Sequence, residues 1–407
     1  MNRGADRIAV TAAIAAALAL SCAAGEPVTG DAAVAKFPAA LQEMGLHTAR
    51  WMQLTNGVEY YYGRFSSLCG YKNDLHMIRV DYRMAPVRLK FVDNTTTSTP
   101  KKTTSAVANE HNALFAINGT FGGGDGNIPQ GFTKFAGRVV PNGNGCDDGL
   151  AMNDDKTYSF GKDWNETSAA GWSDVITTEA YCLHNGEMTW SSRGNFSLAP
   201  YTFVGGTTND VLWVCVVDGR NDSSQGLSYY ETGLLLQKLG CSEGMCFDGG
   251  GSTTMVIRKD IMTVPDIAST QATAKGSPNY YKMNFEANFK EIFGMKIGLG
   301  ERAVVNQLLF VAGPVSSAGG DPVAPVPASL AVCGPVLRIG VHDVSADCWY
   351  GLEKTTDLAV PFAVVEGSWV RGSDLAASGG LLEVAMKASE PSAFYRVVVS
   401  GVDPDGD

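Results

Sequence analysis

The sequence has little of several features that mark common classes of protein. Its 407 residues include only five histidines, and these show no spacing typical of metal ligands. The nine cysteines form no Cys-x-x-Cys pair and no zinc pattern. No Lys follows the glycine-rich segments as a P-loop requires, and no Gly-x-Gly-x-x-Gly opens a helix. We therefore expect no metal ion and no cofactor.

Positive charge is also scarce. The chain has 31 Lys and Arg against 42 Asp and Glu, a net charge of -11, which argues against a nucleic-acid binder. A hydrophobic content of 45% with 18% charged residues describes a globular protein with a substantial core. The 47 glycines favour a loop-rich protein with much β structure.

The N-terminus has the order of an export signal. Arg3 and Arg7 precede an apolar run over residues 8–20, which is shorter than a bilayer-spanning helix. We predict a signal peptide over residues 1–24, in which Cys22 is a candidate lipid anchor because it ends a loose match to a lipoprotein box. The expected location is the periplasm, the outer-membrane surface or the exterior. No other segment is apolar enough over a sufficient length to span a membrane.

Removal or lipidation of Cys22 would leave eight cysteines. An even number in an exported protein favours disulfide bonds, although sequence alone cannot fix their connectivity. The preferred pairs are Cys241–Cys246, Cys333–Cys348 and Cys182–Cys215.

Composition divides the mature chain into four segments. Residues 25–45 are expected to be an N-terminal tether, and residues 46–312 form the main domain. Residues 313–329 are rich in Pro, Ala and Gly and read as a linker. Residues 330–407 alternate β-like runs with turns and predict a small β-sandwich-like module.

The glycine run Gly249–Gly251 is the most informative local signal. An apolar strand delivers Asp248 into three glycines, and Ser252 and Thr253 follow. Because ordering glycine costs more backbone entropy than ordering any other residue, such a run persists where the backbone approaches something closely or adopts positive φ. Bare N–H groups beside one carboxylate suit phosphate or sugar oxygens. The alternative is a tight hairpin between two strands.

Two further strands are predicted to end in polar loops. The apolar run Val211–Val217 leads to Asp218, Gly219 and Arg220, and a helix should follow from Tyr229 to Leu239. The run Ala113–Ile117 leads to Asn118 and Gly119. Sites commonly form on such loops, but each residue also has a plainer interpretation, such as a turn Asp, a surface Arg or a capping Asn. Acidic residues near Asp147 and Asp154 are interpreted as a solvated loop rather than a Ca²⁺ site.

Four segments together resemble the phosphodiester glycosidase family between Gly45 and Val311. They are Ala116–Phe121 with Pro129–Gly131 downstream, Val216–Arg220 with its following helix, Phe247–Met255, and Gly300–Asn306. The third is a near-complete match to the family's most diagnostic motif. The resemblance implies an α+β fold with a twisted, largely antiparallel sheet and flanking helices.

The resemblance also implies a reaction: cleavage of a sugar–phosphate diester at the anomeric carbon, releasing free sugar and a phosphomonoester. One essential carboxylate is expected, and Asp248 is the first choice as base or nucleophile. Asp218 would orient Asp248 or the sugar, and Glu231 is either a third catalytic carboxylate or an exposed first-turn helix residue. The residues expected to contact the carbohydrate substrate are Asn118, Gly119, Arg220, Gly249, Gly250, Gly251, Ser252, Thr253, Arg302 and Asn306.

The chain departs from the family pattern at one position. Family members carry Arg-Thr-x-x-Gly before the Asp-Gly-Arg strand, whereas this sequence has Tyr201 where the Arg is expected. Arg193, eight residues upstream, is a candidate substitute. If the missing Arg normally holds phosphate, the alternative function is a non-catalytic carbohydrate or sugar-phosphate binding protein of the cell envelope. The C-terminal module resembles β modules that end many exported bacterial proteins and is expected to serve attachment.

Overall fold

The computed structural model describes most of the main domain. It covers residues 26–312, apart from 96, 98, 124–126, 144, 146, 179, 263–275, 285–288, 293–294 and 299, together with residue 374 and a set of strands between 327 and 400. Residues 23–313 form one compact unit, and residues 314–407 belong to a second. None of the helices in the described part of the chain combines the length and apolar character that a membrane crossing needs.

Several sequence predictions lie outside the described residues. They are the signal peptide with Cys22, most of the linker, and the pair Cys333–Cys348, of which Cys348 is not described. These stay predictions.

The main domain is built largely from strands. Those of its first half are β1 (Val28–Thr29), β2 (Leu46–Thr55), β3 (Val58–Leu68), β4 (Tyr71–Asp81), β5 (Val87–Asp93), β6 (Ala113–Asn118), β7 (Gly122–Gly123), β8 (Ile128–Pro129), β9 (Lys134–Phe135), β10 (Arg138–Val139), β11 (Asp148–Met152) and β12 (Tyr158–Gly161). Those of its second half are β13 (Asp174–Thr178), β14 (Ala180–His184), β15 (Glu187–Met188), β16 (Tyr201–Gly206), β17 (Val211–Val217), β18 (Glu243–Cys246), β19 (Met255–Arg258), β20 (Tyr280–Lys282), β21 (Phe289–Ile292), β22 (Met295–Gly298) and β23 (Asn306–Ala312).

Helices are few and short. They are α1 (Gly30–Val34), α2 (Ala39–Gln42), α3 (Thr104–Glu110) and α4 (Tyr229–Lys238), with 3-10 turns at Gly250–Ser252 and Lys259–Ile261. The C-terminal strands are β24 (Pro327–Cys333), β25 (Val336–Val341), β26 (Trp349–Thr355), β27 (Ala363–Val364), β28 (Val370–Arg371), β29 (Leu381–Ala385) and β30 (Phe394–Ser400). They form two antiparallel sheets, in the orders β24-β25-β29 and β27-β26-β28, with β30 paired to β26.

Three larger sheets make up the main domain. The first has nine strands in the order β1-β2-β3-β4-β17-β16-β18-β14-β15, and the second has five, β20-β19-β6-β23-β5. A third, β10-β9-β13-β11-β12, also has five. All strand pairs of the first sheet are antiparallel. The antiparallel character and the flanking helices therefore match the sequence prediction, but one sheet was predicted where the structure has several.

The nine-stranded and second sheets pack face to face. Tyr60, Val214 and Met245 of the first share one core cluster with Phe115 and Leu308 of the second. On its outer face the nine-stranded sheet packs against α1, α2 and α4, and the second sheet packs against α3. The layers therefore run helix, sheet, sheet, helix, which places β17 and β18 in the interior of the unit.

This layering explains the apolar run of β17. Successive side chains of a strand point to opposite faces, so a strand covered on both sides must be apolar at every position. Val214 and Val216 face the second sheet, whereas Cys215 and Val217 face the helices. The run signals burial on both faces, and the polar Asp218 marks the point where the strand leaves the core.

The tether predicted for residues 25–45 is wrong. β1 pairs with β2 within this segment, and α1 and α2 follow it. Ala33, Phe37 and Leu41 are buried against the nine-stranded sheet. Ala33 lies in α1, Leu41 lies in α2 and Phe37 lies in the turn between them, so both helices and their connection cover the sheet.

Two of the predicted disulfide bonds are also wrong. Cys182, Cys215, Cys241 and Cys246 are free and buried. Cys215 and Cys182 lie on strands three places apart in the sheet, about 14 Å at the usual strand spacing, beyond the reach of a disulfide. Cys241 and Cys246 flank an extended strand and are held apart by it. These thiols fill the core as small hydrophobic groups instead.

Candidate functional site

The glycine loop, residues 247–254, joins the two packed sheets. It leaves β18 of the nine-stranded sheet and enters β19 of the second sheet, so the hairpin interpretation of the glycines is wrong. The Asp248 N–H donates to the Gly119 carbonyl at 3.1 Å, and the Gly250 N–H donates to the Pro200 carbonyl at 2.8 Å. Gly250 has a φ of +60°, a conformation that favours glycine. The loop is thus fixed between the ends of β6 and β16.

Asn118 is the central clamp of this junction. Its Nδ2 donates to the Asp248 carbonyl at 2.8 Å and to the Gly119 carbonyl at 3.3 Å. Its Oδ1 accepts from Thr202 Oγ1 at 2.6 Å and from the Thr254 N–H at 2.9 Å. The side chain is fully buried, so its amide holds protein backbone rather than reaching for substrate. The plainer interpretation, a capping Asn, describes these contacts.

Gly119 has no room for a side chain. A Cβ there would meet Oδ1 of Asn306 and would lie 2.9 Å from the Asn306 carbonyl oxygen. The Asn306 Oδ1 accepts the Thr120 N–H at 2.9 Å. Asn118, Gly119 and Asn306 are therefore brought together at the loop, and they lock the start of β23 to the end of β6.

Two guanidinium groups lie against the glycines. A Cβ built on Gly250 would be 3.0 Å from an Arg220 Nη atom, and one on Gly251 would be 2.7 Å from Arg302 Cζ. Arg302 also donates to Ser252 Oγ at 3.4 Å. Both arginines are exposed, and Asp248, which precedes the glycines in the loop, is half-buried. The two predicted cations thus converge on one loop beside one carboxylate, although they come from distant parts of the sequence.

Arg220 is held in a strained conformation. Its φ of +61° lies in the left-handed region, which costs a non-glycine residue roughly 1 kcal/mol. Its N–H donates to the Gln225 carbonyl at 3.5 Å, and the Asn221 side chain caps the same turn through Ser223 and Ser224. Strain that the surrounding turn sustains is characteristic of functional positions, and here it directs the guanidinium to Gly250.

We expect Gly251→Ala to weaken substrate binding without unfolding the protein. The new methyl group would meet the Arg302 guanidinium, the far end of a flexible side chain, which can move away. If the displaced Arg302 no longer donates a charge-assisted hydrogen bond to the ligand, KM should rise about tenfold. Gly171→Ala is the matched control, since a Cβ there meets nothing within 4 Å. An unchanged KM beside an unchanged melting temperature would show that Arg302 does not act at the loop.

Asp218 lies at the buried end of β17. Only 2% of it is exposed, and its Oδ2 is 3.7 Å from His76 Nε2. His76 is fully buried, and its Nδ1 is hydrogen-bonded to the Tyr60 hydroxyl at 2.8 Å. The Asp218 carboxylate therefore lies next to His76 of β4, which is in turn hydrogen-bonded to Tyr60 of β3. Sequence reasoning missed His76 because a lone His in an apolar strand carries no spacing signal.

Glu231 belongs to the helix rather than to the loop. Its Oε2 accepts the Ser228 N–H at 3.0 Å and the Ser228 hydroxyl, which completes a capping box at the start of α4. Its other oxygen lies 3.9 Å from Arg193 Nε. Glu231 is buried, so the alternative of an exposed first-turn residue is wrong, and the carboxylate predicted to be catalytic is occupied by the cap. Arg193 pairs with it and lies over the Tyr71 ring, so neither group supplies a described contact to the glycine loop.

Several buried polar atoms around the junction have no hydrogen-bond partner among the described residues. They are the hydroxyl groups of Thr120, Thr253 and Thr254 and the Nδ2 of Asn306. Each such atom costs about 1–3 kcal/mol unless water or a ligand satisfies it. Thr253 and Asn306 were predicted to contact substrate. Thr120 was not, although it directly follows the Asn-Gly pair.

Two buried charged residues, Glu301 and Lys282, lie in the structure around Arg302 and the glycine loop. The Glu301 carboxylate accepts the Ser105 N–H at 2.7 Å and the Ser105 hydroxyl at 2.5 Å, which ties it to the start of α3. Lys282 is buried, and its Nζ donates to the Asn284 carbonyl at 2.8 Å. The Asn284 side chain in turn donates to the Thr253 carbonyl at 2.9 Å. Burial raises the pKa of Glu301, and the Ser105 hydrogen bonds and the charge of Lys282 oppose the shift.

This raised pKa predicts a pH-dependent stability. The folded state keeps the Glu301 proton at pH values where the unfolded chain, with a pKa near 4.5, has released it. The stability due to the neutral carboxyl is therefore present below that pH and lost as the pH rises through the folded pKa. Melting temperatures between about pH 4 and pH 8 should show the parent losing stability relative to Glu301→Gln.

Asp155 provides a control of opposite sign. Hydrogen bonds from Thr157 lower the pKa of Asp155, so its contribution is present above its unfolded pKa and disappears as the pH falls. The difference in melting temperature from the parent should therefore change with pH in opposite directions for Glu301→Gln and Asp155→Asn. A change in the same direction for both would contradict a raised pKa of Glu301.

The described residues contain no group of three or more His, Cys, Asp or Glu side chains arranged to hold a metal ion. The groups that the structure places at the loop are one half-buried carboxylate, two guanidinium groups, and the N–H and hydroxyl donors of the loop itself.

Comparisons with known proteins bear on this site. Residues 111–280 match a family model described as phosphodiester glycosidase. No curated protein matches the chain. Among solved structures, the catalytic domain of zebrafish N-acetylglucosamine-1-phosphodiester alpha-N-acetylglucosaminidase, auto-inhibited by its pro-peptide, is 16% identical, with a TM-score of 0.45 over 63% of this chain and 83% of that one.

Two bacterial structures are also similar. A hypothetical protein from Synechocystis is 12% identical, with a TM-score of 0.40 over 63% of each chain. A Burkholderia pseudomallei protein described as exported is 14% identical, with a TM-score of 0.40 over 59% of this chain and 74% of that one. The matched family segment includes β6, β17, α4 and the glycine loop. The family model confirms the resemblance predicted from the sequence: residues 111–280 match the phosphodiester glycosidase family.

Proposed function

We propose that this chain hydrolyses a glycosyl phosphodiester at the anomeric carbon, releasing free sugar and a phosphomonoester. The observation that carries the proposal is the convergence of Arg220 and Arg302 on the glycine loop beside Asp248. Guanidinium groups match the geometry of a phosphate diester, and a carboxylate beside them suits attack at the neighbouring carbon. The N-terminal signal pattern supports the further proposal that the protein is exported.

This reaction depends on one essential carboxylate rather than on a matched pair of carboxylates. In hydrolysis, the bond between the anomeric carbon and the phosphate oxygen breaks, and the oxygen of a water molecule bonds to that carbon. Asp248 acts as the base that takes the water proton, or as the nucleophile that water later displaces. The departing phosphate monoester carries its own negative charge, which Arg220 and Arg302 stabilise, so strong help from a general acid is less needed.

The remaining residues have supporting parts in this proposal. The hydroxyl groups of Thr120 and Thr253 and the Asn306 amide are buried, so they would reach sugar or phosphate oxygens through bridging water, which would satisfy the atoms that have no described partner. Asp218, at the end of β17, would orient Asp248 or the sugar, and His76 beside it would hold its carboxylate in place. Asn118 and Gly119 would hold the loop in place, and Glu231 would fix α4.

The test is the release of free sugar by the full chain from a panel of hexose and N-acetylhexosamine 1-phosphodiesters of both anomers. Turnover of at least one member, with a phosphomonoester as the second product, is expected. Release of the alcohol instead, leaving a sugar 1-phosphate, would mean that the wrong bond was assigned. No release by folded protein would overturn the proposal.

One observation favours a second candidate, a binding protein that does not turn substrate over. Tyr201 stands where the family carries Arg, and its ring lies directly on Gly249: a Cβ there would be 2.5 Å from Cδ1 and Cε1 of the ring. The loop therefore has one fewer cation than the family pattern. Binding of sugar phosphates without turnover would support this candidate.

A further inference from the structure

Four aromatic rings form a continuous row that begins at the glycine loop. Tyr201 contacts Tyr229 with ring centroids 5.1 Å apart, Tyr229 contacts Phe196 at 5.1 Å, and Phe196 contacts Trp190 at 4.9 Å. We call Tyr201, Tyr229, Phe196 and Trp190 the aromatic row. Its residues come from β16, α4 and the segment between β15 and β16. The row is therefore a product of the fold rather than of one sequence motif.

The inner end of the row is part of the candidate site. Tyr201 pairs with Val217, the residue before Asp218, and its ring covers Gly249 beside Asp248. Burial raises the pKa of Tyr201, with the charge of Arg220 opposing and that of Asp248 adding to the shift. Since Arg220 lies on Gly250 and Tyr201 on Gly249, a group attached to phosphate at Arg220 would reach the ring of Tyr201 next.

The outer end of the row is open to solvent. Phe196 is 37% exposed, one of three large hydrophobic side chains in the described residues that are this exposed, and the other three rings are half-buried. An exposed aromatic side chain that continues from a polar site marks a place where an apolar ligand group gains contact area.

The row offers apolar surface and few hydrogen bonds. Its polar groups are the hydroxyl groups of Tyr201 and Tyr229 and the Trp190 Nε1, which has no hydrogen-bond partner among the described residues. A sugar ring placed here would find few partners for its hydroxyl groups, so each hydroxyl group that the row shields from water would be costly. An aryl or aliphatic ring has no hydroxyl groups to remove from water and would gain apolar contact.

We propose that the aromatic row is a subsite for the alcohol of the phosphodiester, and that this alcohol is aromatic or apolar rather than a sugar. This inference rests on the proposed function, because it takes the phosphate to lie at Arg220. It assigns Tyr201, which replaces the family Arg, as a residue that sets specificity. The substrate class is then a sugar joined through phosphate to an aromatic or apolar alcohol.

The test uses phosphomonoesters, which carry the alcohol without the sugar. Binding of phenyl phosphate, methyl phosphate and glucose 6-phosphate to the full chain would be measured by isothermal titration calorimetry. Phenyl phosphate should bind about tenfold more tightly than either of the others, the gain expected for partly burying one aromatic ring. Phe196→Ala and Tyr201→Ala should each reduce this ratio at least threefold, and Tyr201→Phe should keep it.

Met84→Ala is the matched control, since Met84 is an exposed hydrophobic side chain on the turn after β4 and should leave the ratio unchanged. Equal binding of the three esters, or tighter binding of glucose 6-phosphate, would overturn the inference while sugar release from the panel could still support the glycosidase. A preference for phenyl phosphate without any sugar release would retain the subsite and reject catalysis. Absence of binding by all three esters would reject the subsite.

Discussion

Asp248→Asn should reduce sugar release from phosphodiesters about 10³-fold, the loss typical of removing a catalytic base. The substitution keeps the size and planarity of the side chain and removes its charge and basicity. The backbone groups that fix this residue, its N–H to Gly119 and its carbonyl to Asn118, are untouched. The fall should therefore appear in kcat, with KM changed little, when free sugar is measured against substrate concentration.

Asp222→Asn provides the control for this substitution. Asp222 is an exposed carboxylate on the same turn as Arg220, so its loss changes the local charge equally without removing a group of the glycine loop. It should retain activity within about twofold. If Asp222→Asn and Asp248→Asn lowered kcat alike, charge near the site would be the common cause, and Asp248 would have no special role. Full activity in Asp248→Asn would move the search to Asp218.

Much of the fold could be predicted from local pattern. The strand Val211–Val217 has the predicted bounds, and α4 was expected one residue longer than observed. These elements are buried on wide faces, so their apolar periodicity is strong. The pattern could not say that β18 and β19 lie in different sheets, because an apolar run looks the same whichever sheet it joins. The glycine loop was consequently consistent with a hairpin.

The site was harder to predict than the fold. Asp248, Arg220 and Arg302 come from separate motifs, and only packing brings the guanidinium groups to Gly250 and Gly251. The role of Asn118 could not be predicted because an Asn beside a Gly gives the same signal whether its amide faces ligand or backbone. The role of Glu231 could have been predicted, because a Ser three residues before a Glu, here Ser228, is the sequence signature of a capping box.

The clamp at Asn118 leads to the largest expected effect on stability. Asn118→Ala would remove four hydrogen bonds and leave their partners buried: the Thr202 hydroxyl, the Thr254 N–H, and the carbonyls of Asp248 and Gly119. At about 1 kcal/mol for each bond, the free energy of unfolding should fall by about 4 kcal/mol. Guanidinium unfolding followed by tryptophan fluorescence would measure the change.

Thr202→Val separates the clamp from general packing. It keeps the shape of a fully buried side chain and removes one of the four bonds, so the loss should be about 1 kcal/mol. Asn118→Asp should destabilise at least as much as Asn118→Ala, because a carboxylate would then face two carbonyl oxygens that now receive a donor. A loss in Asn118→Ala no larger than that in Thr202→Val would mean that the loop is held by its backbone contacts to Gly119 and Pro200 instead.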